Sequence, residues 1–153
     1  MLKAIVTAVS IVGFGLTLAG PAAAQDAEHA VKARKGVLQN YSWHFGPLVA
    51  MARGDIAYDA ERAARHAGLL DELVPFLLPE HFVEGSSNAE RNDTRALPVI
   101  WDDFDGFVER REALAEAVSA LAAVAGDGHG EMTPAVVRTG EACGACHDNF
   151  RAD

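Results

Sequence analysis

Cys143-Gly144-Ala145-Cys146-His147, close to the C-terminus of a 153-residue chain, is the stretch on which the reading turns. C-x-x-C-H is the attachment signature of a c-type haem. Two thiols must add across the two vinyl groups of one porphyrin, and an imidazole must then reach the iron. On a helix, Cys143 and Cys146 stand three apart and Cys143 and His147 four apart, so all three share one face. This makes Cys143 and Cys146 the attachment points of one covalent haem c and His147 its axial ligand. A thioredoxin-type C-x-x-C needs a βαβ context, and nothing around these residues reads as a strand. Structural zinc needs four ligands, and these are the chain's two cysteines. A disulfide between helical i, i+3 cysteines rarely meets the required geometry.

Working back from the motif, Thr133-Pro134 reads as N-cap and first position of the helix that carries it. Gly126-Asp127-Gly128-His129-Gly130 is a turn. Before it, Pro98 suits the first turn of a helix running to about Ala125. That helix has Trp101, Phe104, Val108, Ala115, Val118 and Ala122 on one stripe, broadened by Ile100, Phe107, Leu114 and Leu121. These read as core, with Trp101 or Phe104 possible neighbours of a porphyrin. Glu80 to Leu97 is a polar loop, longer than most helix–helix connections. Asp59 is an N-cap for a helix to Leu73 or Val74, stopped by Pro75 and Pro79. Its face of Ala60, Ala63, Ala64, Ala67, Leu70 and Leu73 allows close approach of the first helix or of a second subunit.

The first helix spans Glu28 to about Arg53, with Val31, Leu38, Tyr41, Phe45, Leu48 and Ala52 at helical spacing and Gly54 ending it. Pro47 lies inside and is expected to kink or loosen it. Arg34 falls on the same stripe, one turn before Leu38. A guanidinium facing a core needs an anion, and in a haem protein the obvious one is a propionate. Four amphipathic helices without a strand signal make an all-α, antiparallel, up-down-up-down four-helix bundle.

Residues 1–24 read as a signal peptide: Lys3, an apolar run from Ala4 to Ala19, a break at Gly20-Pro21, and Ala22-Ala23-Ala24 before a cut at Gln25. Residues 25–153 then form one domain. Losing Lys3 leaves a formal charge of −10, because 22 acidic residues face the remaining basic ones. Such acidity argues against nucleic acid or anionic lipid as a partner. The apolar run is too short for a typical span, so no membrane association is expected after cleavage.

The sixth iron position decides function, since a haem filled on both sides shuttles electrons and one with an open side takes a ligand. Met51 and Met132 lie where neither has obvious reach to the distal face, and His29, His44, His66, His81 and His129 read as surface or satisfied histidines. In such a bundle the first helix covers the distal face around Leu38. Leucine neither coordinates iron nor donates a hydrogen bond, which favours NO and CO over O₂ and slows bulky ligands.

The mature chain resembles the cytochrome c′ family, the class II c-type cytochromes. The likeness runs through Ala30-Val31-Lys32-Ala33-Arg34, His44-Phe45-Gly46, Tyr58-Asp59-Ala60, Pro98-Val99-Ile100-Trp101 and Cys143 to Arg151. It implies a periplasmic, usually homodimeric bundle with a five-coordinate, high-spin haem. It also implies Arg34 near a propionate, Leu38 at the distal position, and Arg151 beside the proximal pocket. Two functions follow: capture of NO and CO at the open site, protecting against nitrosative stress, or electron transfer between periplasmic redox partners. The first is favoured by Leu38 and by the lack of a Met between Gln25 and Ala50. A turnover enzyme is not expected, because no distal acid–base pair is present.

Overall fold

The computed structural model describes residues 21–153, with side chains from residue 25 onward. The expected leader therefore lies largely outside the described residues. The elements are α1 (Pro21–Arg53), α2 (Ala60–Leu73), α3 (Val99–Asp102), α4 (Phe104–Val124) and α5 (His129–Phe150). Among the described residues there is no strand, only one isolated antiparallel bridge between Ala96 and Arg151. Around the bundle, α1 packs on α2, α2 on α4, α4 on α5 and α5 back on α1. This is the ring of neighbours expected of an up-down-up-down antiparallel arrangement.

α1 continues unbroken through Pro47, and it starts upstream of the expected Glu28. It ends where the sequence says it must. Gly54 has φ of 78°, and its N–H bonds the Met51 carbonyl while Asp55 N–H reaches the Ala50 carbonyl. That pair is a Schellman motif, which needs a left-handed residue and therefore favours glycine. The Asp59 carboxylate accepts from Arg62 N–H at 2.8 Å, a cap worth about 1 kcal/mol. After Leu73 the prolines tighten the chain into 3₁₀ turns, Val74–Phe76 and Pro79–His81.

Two helix boundaries differ from the expectation. The long helix expected over Pro98–Ala125 breaks at Asp103, whose non-helical backbone lets its carboxylate accept from Gly106 N–H at 3.2 Å. A side chain at Gly106 would collide with that carboxylate, so Asp103 and Gly106 act together as a helix restart. The last helix begins at His129 rather than at Thr133-Pro134. Thr133 does not cap. Its hydroxyl donates back to the His129 carbonyl at 2.8 Å, and Pro134 sits within the helix opposite Gly130, four residues back. The ring of Pro134 forfeits one hydrogen bond there.

The main core gathers Leu48, Met51, Ala63, Ala67, Leu70, Val118, Leu121, Ala125, Met132, Ala135 and Val136. Ala63 and Ala67 serve close packing inside this bundle, as the alanine-rich face of α2 suggested. Tyr58 stitches the two turns at this end: its hydroxyl donates to the Ala125 carbonyl at 2.9 Å and accepts from Gly128 N–H at 3.0 Å. His129 adds a bond from Nε2 to the Met51 carbonyl at 3.0 Å. A second cluster, Ile100, Phe107 and Phe150 with Phe82 and Trp101 against it, lies beside the cysteine motif and includes contacts to Cys146.

Candidate haem-binding site

Cys143, Cys146 and His147 line one cavity of about 800 Å³, as their helical spacing requires. α1 contributes Leu38, Tyr41 and Phe45 to its walls, and α4 contributes Phe107, Arg110, Arg111, Leu114 and Val118. The long connection closes it with Phe82 and the stretch from Asn92 to Ala96. A volume of this order lies in the range of cofactor sites, about 300–1,000 Å³. The cysteines are not paired in a disulfide. Burial pushes both thiols up, that of Cys146 further through Cys143, so both stay protonated S–H groups.

His147 is held below the ordinary histidine value, by burial first and then by the Arg95 charge, with Asp148 opposing. The imidazole is therefore neutral at neutral pH, the form that ligates a metal. Arg151, one turn on, places Nη1 at 3.2 Å from His147 Nδ1. A guanidinium only donates, so Nδ1 accepts and Nε2 carries the proton. The donor set, the volume and the neutral charge of the imidazole fit a covalent haem.

Leu38 lines the cavity and is 37 % exposed. Arg34 is buried on the α1 face where the periodicity places it, and its partners within the protein lie in the long connection. Nη1 donates to the His81 carbonyl at 3.0 Å and to Ser86 Oγ at 2.8 Å. Nη2 donates to the Ser86 carbonyl at 2.5 Å and to Thr94 Oγ1 at 2.8 Å. The guanidinium also lies 4.7 Å from the centre of the Phe82 ring, a cation–π contact. All four terminal N–H groups are thus spent on the loop, and only Nε is left for a propionate. Desolvation lowers Arg34 to about 10, so it stays charged at neutral pH.

Trp101 and Phe104 do not line the cavity; Ile100 and Phe107 do. The break at Asp103 separates α3 from α4, so a single stripe through both misassigns these faces. Trp101 instead donates Nε1–H to the Phe82 carbonyl at 2.9 Å. Met51 and Met132 are fully buried in the main core and line no part of the cavity, and His147 is the cavity's histidine.

Sequence reasoning missed Arg95 and Arg110, which give the cavity a basic margin in an acidic chain. Arg95 lies in the irregular loop and Arg110 on the polar side of α4, so neither carried a periodic signal. Tyr41 entered the sequence reading only as one of the α1 positions at helical spacing. Its ring does pack on the core, yet its hydroxyl is buried without a hydrogen-bond partner. Such a group costs about 1–3 kcal/mol. Burial also raises the phenol to about 12, so it remains an O–H donor.

The family profile described as Cytochrome C' matches residues 29–151, which hold every residue of this site. The chain belongs to the cytochrome c′ family. It is 44% identical over 138 residues to the cytochrome c' of Cereibacter sphaeroides, covering 89% of this chain and 93% of that one. Among solved structures it resembles a cytochrome c' from Rhodobacter Spheriodes, with TM-score 0.80 and 42% identity over 83% of this chain and 98% of that one. It also resembles the nitric oxide complex of a variant cytochrome c prime from Alcaligenes xylosoxidans, with TM-score 0.73 and 26% identity over 83% of this chain and 97% of that one. A cytochrome c′ carries covalent c-type haem, and here the two cysteines of α5 are the residues able to hold it. No helix among the described residues is long and apolar enough to cross a membrane.

Proposed function

We propose that this cytochrome c′ is a periplasmic haem protein that captures NO and CO at an open coordination position and protects the cell by scavenging NO. His147 supplies one axial ligand. The observation that carries the reading is the make-up of the opposite wall: α1 brings Leu38, Tyr41 and Phe45, none of which is a histidine or methionine. Both methionines among the described residues are committed to the core. The nitric oxide complex of a relative supports the same ligand class.

Haem supplies the iron that takes the gas; the chain supplies the rest. Cys143 and Cys146 fix the group covalently, His147 holds the metal from one side, and Leu38 restricts what reaches the other. Phe82, Ile100, Phe107 and Phe150 exclude water from the enclosed edge. We read the arrangement as one that binds and releases a ligand. We read it as a homodimer, the state that the family resemblance implies.

An absorption spectrum of the purified, reduced haem protein, before and after adding NO or CO, tests the reading. A broad high-spin spectrum that changes on addition is expected. Sharp low-spin bands indifferent to both gases would replace it with electron transfer between redox partners.

A further inference from the structure

His44 and His66 come from different helices, α1 and α2, and their Nδ1 atoms stand 3.1 Å apart. The rings are tilted by 51° with centroids 5.3 Å apart, so they meet through their nitrogens rather than stack. Both side chains are half-buried, and neither lines the haem cavity. His129 commits its Nε2 to the Met51 carbonyl, whereas among the described residues His44 and His66 bond only each other. The spacing suits more than a hydrogen bond. Two imidazole nitrogens held about 2.0–2.1 Å from one metal ion lie about 2.9 Å apart at a right angle and about 3.4 Å apart at the tetrahedral angle. The observed separation falls between these. Burial first, then His44, Arg62 and Arg65, hold His66 below the ordinary histidine value, which keeps that ring neutral and its lone pair available at neutral pH.

We propose that His44 and His66 form a two-imidazole site for a divalent transition-metal cation, copper(II) before zinc or nickel, that clips α1 to α2 outside the haem cavity. The cation takes the place of the shared proton. The ring that donates through Nδ1 moves its proton to its own Nε2, so both Nδ1 lone pairs turn to the metal and no net proton is released. Among the described residues no group of three or more His, Cys, Asp or Glu is placed to hold an ion, so water completes the coordination and the ion exchanges. Ligation by nitrogen also selects the ion. Imidazole suits copper, nickel and zinc, whereas calcium and magnesium ask for oxygen. Arg62 and Arg65, whose charges already bear on His66, oppose any cation held by charge alone. Among the ions that imidazole suits, affinity peaks at copper(II).

The test titrates the ferric holoprotein with copper(II) chloride, followed by calorimetry and by electron paramagnetic resonance of the copper signal. Wild type is compared with His44→Asn, His66→Asn and, as a control, His29→Asn, which alters an exposed histidine elsewhere on α1. One copper per chain is expected in wild type and in His29→Asn. Binding in His44→Asn and in His66→Asn is expected to be at least about tenfold weaker, since losing even an outer partner of a metal ligand costs that much. Copper should raise the thermal midpoint of the wild type, as a ligand of the folded state does, and leave those of the two pair variants where they are. Equal affinity in wild type and pair variants overturns the site, as does a wild type that takes up no copper. The copper signal of the wild type needs no variant: coupling to two imidazole nitrogens is expected, and coupling to one or none overturns the assignment.

Discussion

Arg34 of α1 donates to both oxygens of Ser86, 52 positions further along the chain, through Nη1 to the hydroxyl and Nη2 to the carbonyl. One buried side chain thus orders the connection between α2 and α3, which has little regular structure of its own. Replacing it leaves several buried acceptors without their donor. Arg34→Met is expected to cost about 3 kcal/mol. The loss should appear in the thermal midpoint and as faster amide exchange from Ser87 to Ala96. Unaltered exchange there would remove Arg34 from the role of loop anchor.

Arg151 and His147 are in contact through a nitrogen that iron ligation would alter. With Nε2 committed to a metal, the ring proton moves to Nδ1, which then faces a guanidinium that can only donate. The pair must rearrange when haem is present, and the Arg151 charge then acts on the ligand rather than bonding it. Arg151→Gln is expected to shift the iron–histidine stretch of the reduced protein and to raise occupancy of the His147-bound form under NO. An iron–histidine stretch identical to wild type would uncouple the two residues.

Leu38 projects into the cavity from a rigid helix, so a ligand entering on its side must displace it. Leu38→Ala is expected to speed CO association at least about fivefold, the counterpart of roughly 1 kcal/mol of relieved crowding. Stopped-flow or flash photolysis reads this directly. Unchanged rates would place Leu38 off the ligand path.

His44 of α1 and His66 of α2 meet with their Nδ1 atoms 3.1 Å apart. One nitrogen must donate and the other accept, so the pair shares a proton and loses its bond when both are charged. His66 is held below the ordinary value of 6.5, by burial first and then by His44. The unfolded chain therefore takes up the proton first as pH falls. Stability from this group is full above the ordinary value and is lost as pH falls through the lowered one. The drop in thermal midpoint between about pH 7.5 and about pH 5 should shrink in His66→Asn. An equal drop would show that acid acts elsewhere.

Most of the architecture was legible in the sequence because apolar spacing and caps agreed with each other. Gly54 and Asp59 ended and began helices where their chemistry demands, and Cys143, Cys146 and His147 fell together into one cavity because i, i+3 and i+4 on a helix leave no other outcome. The errors have a common physical origin in residues whose role is set by a distant partner. Pro98 to Ala125 looks continuous because nothing in periodicity announces that Asp103 will bend over Gly106. Thr133-Pro134 looks like a start because proline is costly inside a helix, and the glycine four residues earlier that accommodates it carries no such signal. Arg34 was placed on the right face, while a loop without periodicity hid the oxygens of Ser86, His81 and Thr94 that it also bonds. Tyr41 was counted on the α1 stripe by its spacing alone, which says nothing of where a hydroxyl ends.

The bridge between Ala96 and Arg151 has a mechanical meaning when set beside Arg34. Leu97 N–H bonds the Phe150 carbonyl at 3.0 Å and Ala152 N–H the Arg95 carbonyl at 2.8 Å, which fastens this stretch to the end of α5. Thr94, directly before it, is fastened to α1 by Arg34. α1 and α5 are therefore strapped together across one rim of the cavity by a few residues of extended chain, whose reach is about 3.3–3.6 Å per residue. The helices cannot part along that rim without tearing several hydrogen bonds at once. Traffic on that side must then be governed by rotations of side chains, on a timescale of nanoseconds, rather than by breathing of the bundle.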